Sequence, residues 1–171
     1  MPRKNEVRFA AGTKVSVEKS RVELEMLLSK HGAPKRAVLV DDETCSARVV
    51  FRLDGRDYCV VVPMPKPEDV VPQKSSDQPP GWWKWGREKR EGWCKKEHEQ
   101  RTRERWRQLL LIVRAKFEAI ASGLSTAEHE FLADMMLPSG QPLLERLLPE
   151  LRSIEVRDPS APLLLGQGGP S

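Results

Sequence analysis

Cysteine is scarce in this chain, and its three copies, Cys45, Cys59 and Cys94, form neither a Cys-x-x-Cys pair nor an even set. A disulfide framework is thereby excluded as the source of stability, and a reducing compartment fits better. Long apolar runs are also missing. Leu109 to Val113 is far too short to span a bilayer, and no charged-then-apolar leader follows Met1, so a soluble cytoplasmic protein without membrane association is expected. Catalytic signatures are lacking as well: there is no Gly-x-Ser-x-Gly and no glycine-rich loop ending in Lys-Ser/Thr. Asp41-Asp42-Glu43 lacks the spaced oxygen ligands of a calcium loop and reads as a polar hairpin turn. No enzyme activity and no cofactor are expected.

Cys94 and His98 stand at i, i+4, a spacing that can place two metal ligands on one helix face. A zinc site needs at least one more, and Cys45, Cys59, His31 and His129 are all isolated in sequence. The absence of a paired motif favours no metal, with Cys45 and Cys59 as small residues on strands.

The basic residues are unevenly spread. Lys84 to Glu118 holds twelve Lys/Arg against six Asp/Glu, a charge of +6, and the rest of the chain carries 17 basic and 19 acidic groups. The whole excess behind the net +4 therefore sits in one segment, with Trp82, Trp83, Trp85, Trp93 and Trp106 in or beside it.

Hydrophobic periodicity gives an α+β order: an N-terminal helix plus a three-stranded antiparallel sheet, then a proline-rich linker and a long helix with two short C-terminal helices. Residues 1–14 are expected as a disordered arm and 158–171 as a disordered tail. Between them lies one domain over 15–157, made of helix plus sheet (15–63), a Pro/Trp-rich linker (64–88) and a helical part (89–157). Ser16 can cap a helix over Val17 to His31, which Gly32 and Pro34 stop. Asp54-Gly55 is a favoured two-residue hairpin turn. Pairing about it sets Phe51 opposite Tyr58, Val49 opposite Val60 and Ala47 opposite Val62 on one face, with Arg52 opposite Asp57 on the other. Arg36 to Val40 reads as a third, edge strand.

Six of the 14 prolines fall between Pro63 and Pro80, which forbids helix and central strand there. Trp106, Leu109, Leu110, Val113, Phe117, Ile120 and Ala121 follow helical spacing, predicting a helix from about Glu91 to Ser122. In it Trp106, Leu110, Val113 and Phe117 should be buried, and Arg103, Arg107 and Arg114 exposed. Ser125-Thr126-Ala127-Glu128 reads as a capping box opening a short helix that buries Phe131, Leu132 and Met135. Pro142 to Leu151 reads as a last helix turning Leu144, Leu147, Leu148 and Leu151 inward. Leu163-Leu164-Leu165 is a linear motif or an apolar spot in the tail.

Four blocks resemble a group of small phage- and prophage-encoded proteins with no established activity. They are Val15 to Arg21 running to Lys30-His31-Gly32-Ala33, Val49 to Arg56, Arg105 to Leu111 with Arg114-Ala115-Lys116, and Phe131-Leu132-Ala133 up to Leu137-Pro138-Ser139-Gly140. The resemblance implies a genetic setting and assigns no site residue. The order helix, three antiparallel strands, helix is also similar in topology to the double-stranded-RNA-binding domain. The sequence departs from that family by placing Glu18, Glu23 and Glu25 on the first helix and 18 residues of proline-rich chain before the second.

Aromatic rings stack on unpaired bases while Lys and Arg track phosphates. Trp82, Trp83, Lys84, Trp85, Arg87, Lys89, Arg90, Trp93, Lys95, Lys96 and Arg103 are therefore the candidate contacts to single-stranded DNA or RNA. The plainer alternative has the rings packing the linker against the fold, with Glu97, Glu99 and Glu104 as intrahelical partners of the basic residues. On that reading the chain is an interaction or structural protein whose long helix docks on a protein partner.

Overall fold

The computed structural model describes residues 9–153; the expected tail, Leu163-Leu164-Leu165 and the first eight residues of the expected arm lie outside them. The architecture is α+β: helix α1 (Val17–Lys30), strands β1 (Arg36–Asp41), β2 (Ser46–Leu53) and β3 (Arg56–Pro63), helix α2 (Arg87–Ala121), and short helices α3 (Ala127–Phe131) and α4 (Leu143–Ser153). The sheet is antiparallel in the order β1-β2-β3.

Helix α1 begins where Ser16 Oγ accepts the Lys19 N–H at 3.2 Å, which satisfies one of the amides a helix start leaves open. Its buried face is Ser20, Leu24, Leu27 and Leu28. The hairpin between β2 and β3 turns on Asp54 and Gly55, whose φ of 49° and 78° suit the twist of the flanking strands. Phe51 pairs with Tyr58, Val49 with Val60 and Ala47 with Val62, the register that the alternation predicts. On the other face Arg52 grips Asp57 in a fork, 2.6 Å from Nε and 2.7 Å from Nη2, and holds that carboxyl below its usual range.

The core lies between this sheet and the two long helices. Leu24, Leu28, Val49, Phe51, Tyr58, Leu110, Val113, Phe117 and Phe131 are all but closed to solvent, and Trp106 and Leu109 join them. His31 caps α1 and stacks flat on Phe117, with ring centroids 4.6 Å apart. Tyr58 buries its hydroxyl without a partner among the described residues, and that burial raises its pKa.

Several boundaries and faces differ from expectation. Helix α2 starts at Arg87, a turn before Glu91, because Gly86 opens it and Gly92 is carried inside. Gly92 is exposed and a Cβ there would meet nothing within 4 Å, so Gly92→Ala should stabilise the protein by about 0.5–1 kcal/mol in a urea melt. The cap of α3 is Thr126, which accepts from the His129 N–H at 3.2 Å, rather than Ser125. Leu132, expected inside, is 52% exposed because the chain leaves the α-helix there for a tighter turn over Leu132–Asp134. In α4 Leu147 and Leu148 are half-buried while Leu144 and Leu151 remain exposed, so its leucine stripe is only partly covered. Arg107, expected in solvent, is mostly covered: its Nη1 reaches Glu23 Oε2 of α1 at 2.6 Å. Arg103 is also half-buried, and Arg114 is exposed as expected.

Candidate nucleic-acid interface

Helix α2 has 35 residues and is about 52 Å long, but its fully buried residues all fall between Trp106 and Phe117. The N-terminal half overhangs the core. Two other segments lie along it.

The first is the linker. Pro67–Val70 forms a short 3-10 turn whose Val70 side chain is buried in a slot lined by Pro67, Glu91, Cys94, Lys95 and His98. His98 Nε2 is 2.9 Å from the Pro65 carbonyl oxygen; since a carbonyl only accepts, Nε2 carries the hydrogen. Arg101 donates to the Asp69 carbonyl at 2.9 Å while its Nε holds Glu97 at 3.0 Å. The Cys94/His98 pair thus seats the linker, and no cluster of three or more metal-ligating side chains occurs among the described residues. Burial raises the pKa of the Cys59 thiol, which disfavours the thiolate that nucleophilic chemistry needs.

The second segment is the chain before α1. Gln108 donates to the Phe9 carbonyl at 2.9 Å, Glu104 accepts from the Gly12 N–H at 2.7 Å, and Gln100 donates to the Thr13 carbonyl at 3.1 Å. Three side chains at i, i+4, i+8 hold one strap of backbone. The polar repeat Gln100, Glu104, Gln108 was the available signal for it.

At the head of α2 the tryptophans divide into two kinds. Trp82 packs against Trp85 and against Trp93, each with centroids 5.5 Å apart. Arg90 lies 5.3 Å from the Trp82 centroid and Lys89 lies 4.6 Å from that of Trp85, so two cations cover two of the three rings. The Arg90 Nε is buried there with no hydrogen-bond partner among the described residues. Gly81 makes the turn into this cluster with φ of 78°, and the Trp85 indole nitrogen stands 3.6 Å from where a Cβ would be. Trp82, Trp85 and Trp93 therefore pack on one another, whereas Trp83 is 70% exposed.

Of the basic candidates, Lys84, Arg87, Lys89, Lys95 and Lys96 are exposed and Arg90 and Arg103 half-buried. Arg87 pairs with Glu91 at 2.8 Å, and Arg103 donates twice to Gln100 Oε1. Lys89, Lys96 and Arg103 recur every seven residues, nearly two helical turns, and so fall on one line along α2. Gly92, Trp93, Glu99 and Gln100 are the helix positions nearest that line, so one acidic residue of α2, the exposed Glu99, borders it. Glu91, Glu97 and Glu104 are engaged by Arg87, Arg101 and the Gly12 amide respectively.

No helix among the described residues is long and apolar enough to cross a membrane. The chain matches none of the protein families, curated proteins or solved structures with which it was compared.

Proposed function

We propose that the protein is a non-enzymatic accessory factor of phage or prophage type that binds single-stranded DNA or RNA along the overhanging half of α2. The observation that carries the reading is the line of Lys89, Lys96 and Arg103, bordered on α2 by one acidic side chain, Glu99, with Lys84 and Lys95 also exposed. Interleaved glutamates would weaken such a surface. Three of them, Glu91, Glu97 and Glu104, are engaged elsewhere, which leaves the exposed Glu99 beside the line. Trp83 is the ring available to stack on a base; Trp82, Trp85 and Trp93 form the base on which it stands.

The test is fluorescence anisotropy of labelled oligonucleotides over a salt series. Each lost phosphate contact should flatten the slope of log K against log salt by about 0.7, so Lys95→Glu/Lys96→Glu should remove roughly 1.4. Trp83→Ala should weaken binding by about 1–3 kcal/mol with the slope unchanged, because stacking releases few counterions. No binding at low salt, or binding untouched by these variants, would overturn the reading in favour of a protein partner for α2.

A further inference from the structure

Gln100 joins the strap before α1 to the basic line of α2. Its Nε2 donates to the Thr13 carbonyl at 3.1 Å and to Glu104 Oε1 at 3.0 Å, and its Oε1 accepts from Arg103 Nε at 3.2 Å and from Nη2 at 2.6 Å. A guanidinium only donates and a carbonyl only accepts, so the amide fits one way round. Turned over, it would set its nitrogen against Arg103 and its oxygen against Thr13. Glu104 Oε1 closes the network by accepting the Gly12 N–H at 2.7 Å. Arg103 is thereby fixed by a residue that the strap in turn fixes. Its Nη1 meets no acceptor among the described residues, which keeps that nitrogen's hydrogens for a phosphate.

The strap is lightly held. None of Phe9 to Thr13 is buried, Phe9 is 72% exposed, and Ala10 has φ of 66°, a left-handed backbone that a residue with a Cβ adopts only at a cost. Hydrogen bonds with Gln100, Glu104 and Gln108 seat it on α2, with no apolar anchor beneath. One contact more or fewer moves the balance of such a segment between seated and lifted. Building on the single-strand reading of α2, we infer that Gln100 is a positioning residue for Arg103 and couples the strap to the interface. The seated strap orients Gln100, Gln100 presets the Arg103 guanidinium for a phosphate, and a bound strand in turn keeps the strap seated. Preset donors lose less freedom on binding, and coupling is reciprocal: the factor by which seating raises affinity is the factor by which the strand favours seating. The strap is then a regulator of the site, and whatever lifts Phe9 to Thr13 from α2 lowers its affinity.

Anisotropy with a labelled deoxythymidine oligonucleotide tests the first link, and chymotryptic cleavage of the full chain after Phe9 tests the second. Gln100→Ala leaves every charge in place. It should weaken binding about three- to tenfold, the scale of one or two hydrogen bonds, and have no further effect in an Arg103→Ala background, because its influence passes through Arg103. Cleavage after Phe9, whose carbonyl Gln108 holds, should slow severalfold with saturating oligonucleotide, and that slowing should vanish in Gln100→Ala. Without oligonucleotide, Arg103→Ala should speed the same cleavage. Affinity losses from Gln100→Ala and Arg103→Ala that simply add, or cleavage that ignores both the oligonucleotide and Arg103→Ala, would overturn the inference and leave the single-strand reading standing. No binding by the unsubstituted protein at low salt would overturn both.

Discussion

Phe117→Ala should cost about 3–5 kcal/mol of unfolding free energy, measured by urea denaturation followed through far-ultraviolet circular dichroism. The ring is 1% exposed and is held by three other rings. His31 stacks on it at 4.6 Å, Phe131 meets it at 5.5 Å and Phe51 at 6.2 Å, so truncation takes contacts from α1, the sheet and α3 together. The cavity has few ways to close, because its walls are rings fixed by one another. Arg114→Ala, three residues earlier and exposed, should stay within about 0.5 kcal/mol. Equal, small losses in both variants would mean that the C-terminal half of α2 stands free of the sheet.

The second large effect is local. Val70→Asp would place a carboxylate in the apolar slot formed with Pro67, Cys94 and His98, where nothing cationic faces it except the exposed Lys95. Rather than bury an unpaired charge, the linker should leave α2 and break the contacts of Pro65 with His98 and Asp69 with Arg101. Tryptic cleavage after Lys74 should then accelerate many-fold, while the melting of the core changes little. Loss of the whole fold in this variant would show that linker and core unfold as one unit.

The sheet was legible in the sequence because period-two alternation, the Asp54-Gly55 turn and the Arg52/Asp57 pair all require one register. Any single slip would have turned Phe51 and Tyr58 to the solvent side. The start of α1 was legible for the same kind of reason, a side chain whose chemistry fits one position. The tryptophan cluster was not. Whether an indole faces a base or another indole depends on how a proline-rich segment returns to a helix that starts beyond it, and no local period encodes that return. The uncovered Leu144 and Leu151 of α4 failed differently: an amphipathic stripe says that a face is apolar, but not how much surface exists to cover it. Arg107 illustrates a third limit, since its partner Glu23 lies 84 positions away.

Helix α2 also sets the order in which the chain can become protected during synthesis. The first helix and the hairpin emerge early, but Phe117 and Phe131, whose rings meet Phe51, come later. The 59 residues from Cys59 through Phe117 take roughly 3–12 s to translate at about 5–20 residues per second. For those seconds the nascent protein carries a finished sheet that only α1 can cover. An open apolar face beside an open strand edge is what chaperones recognise and what aggregation exploits, so this protein's yield in a cell should be decided before its long helix has left the ribosome.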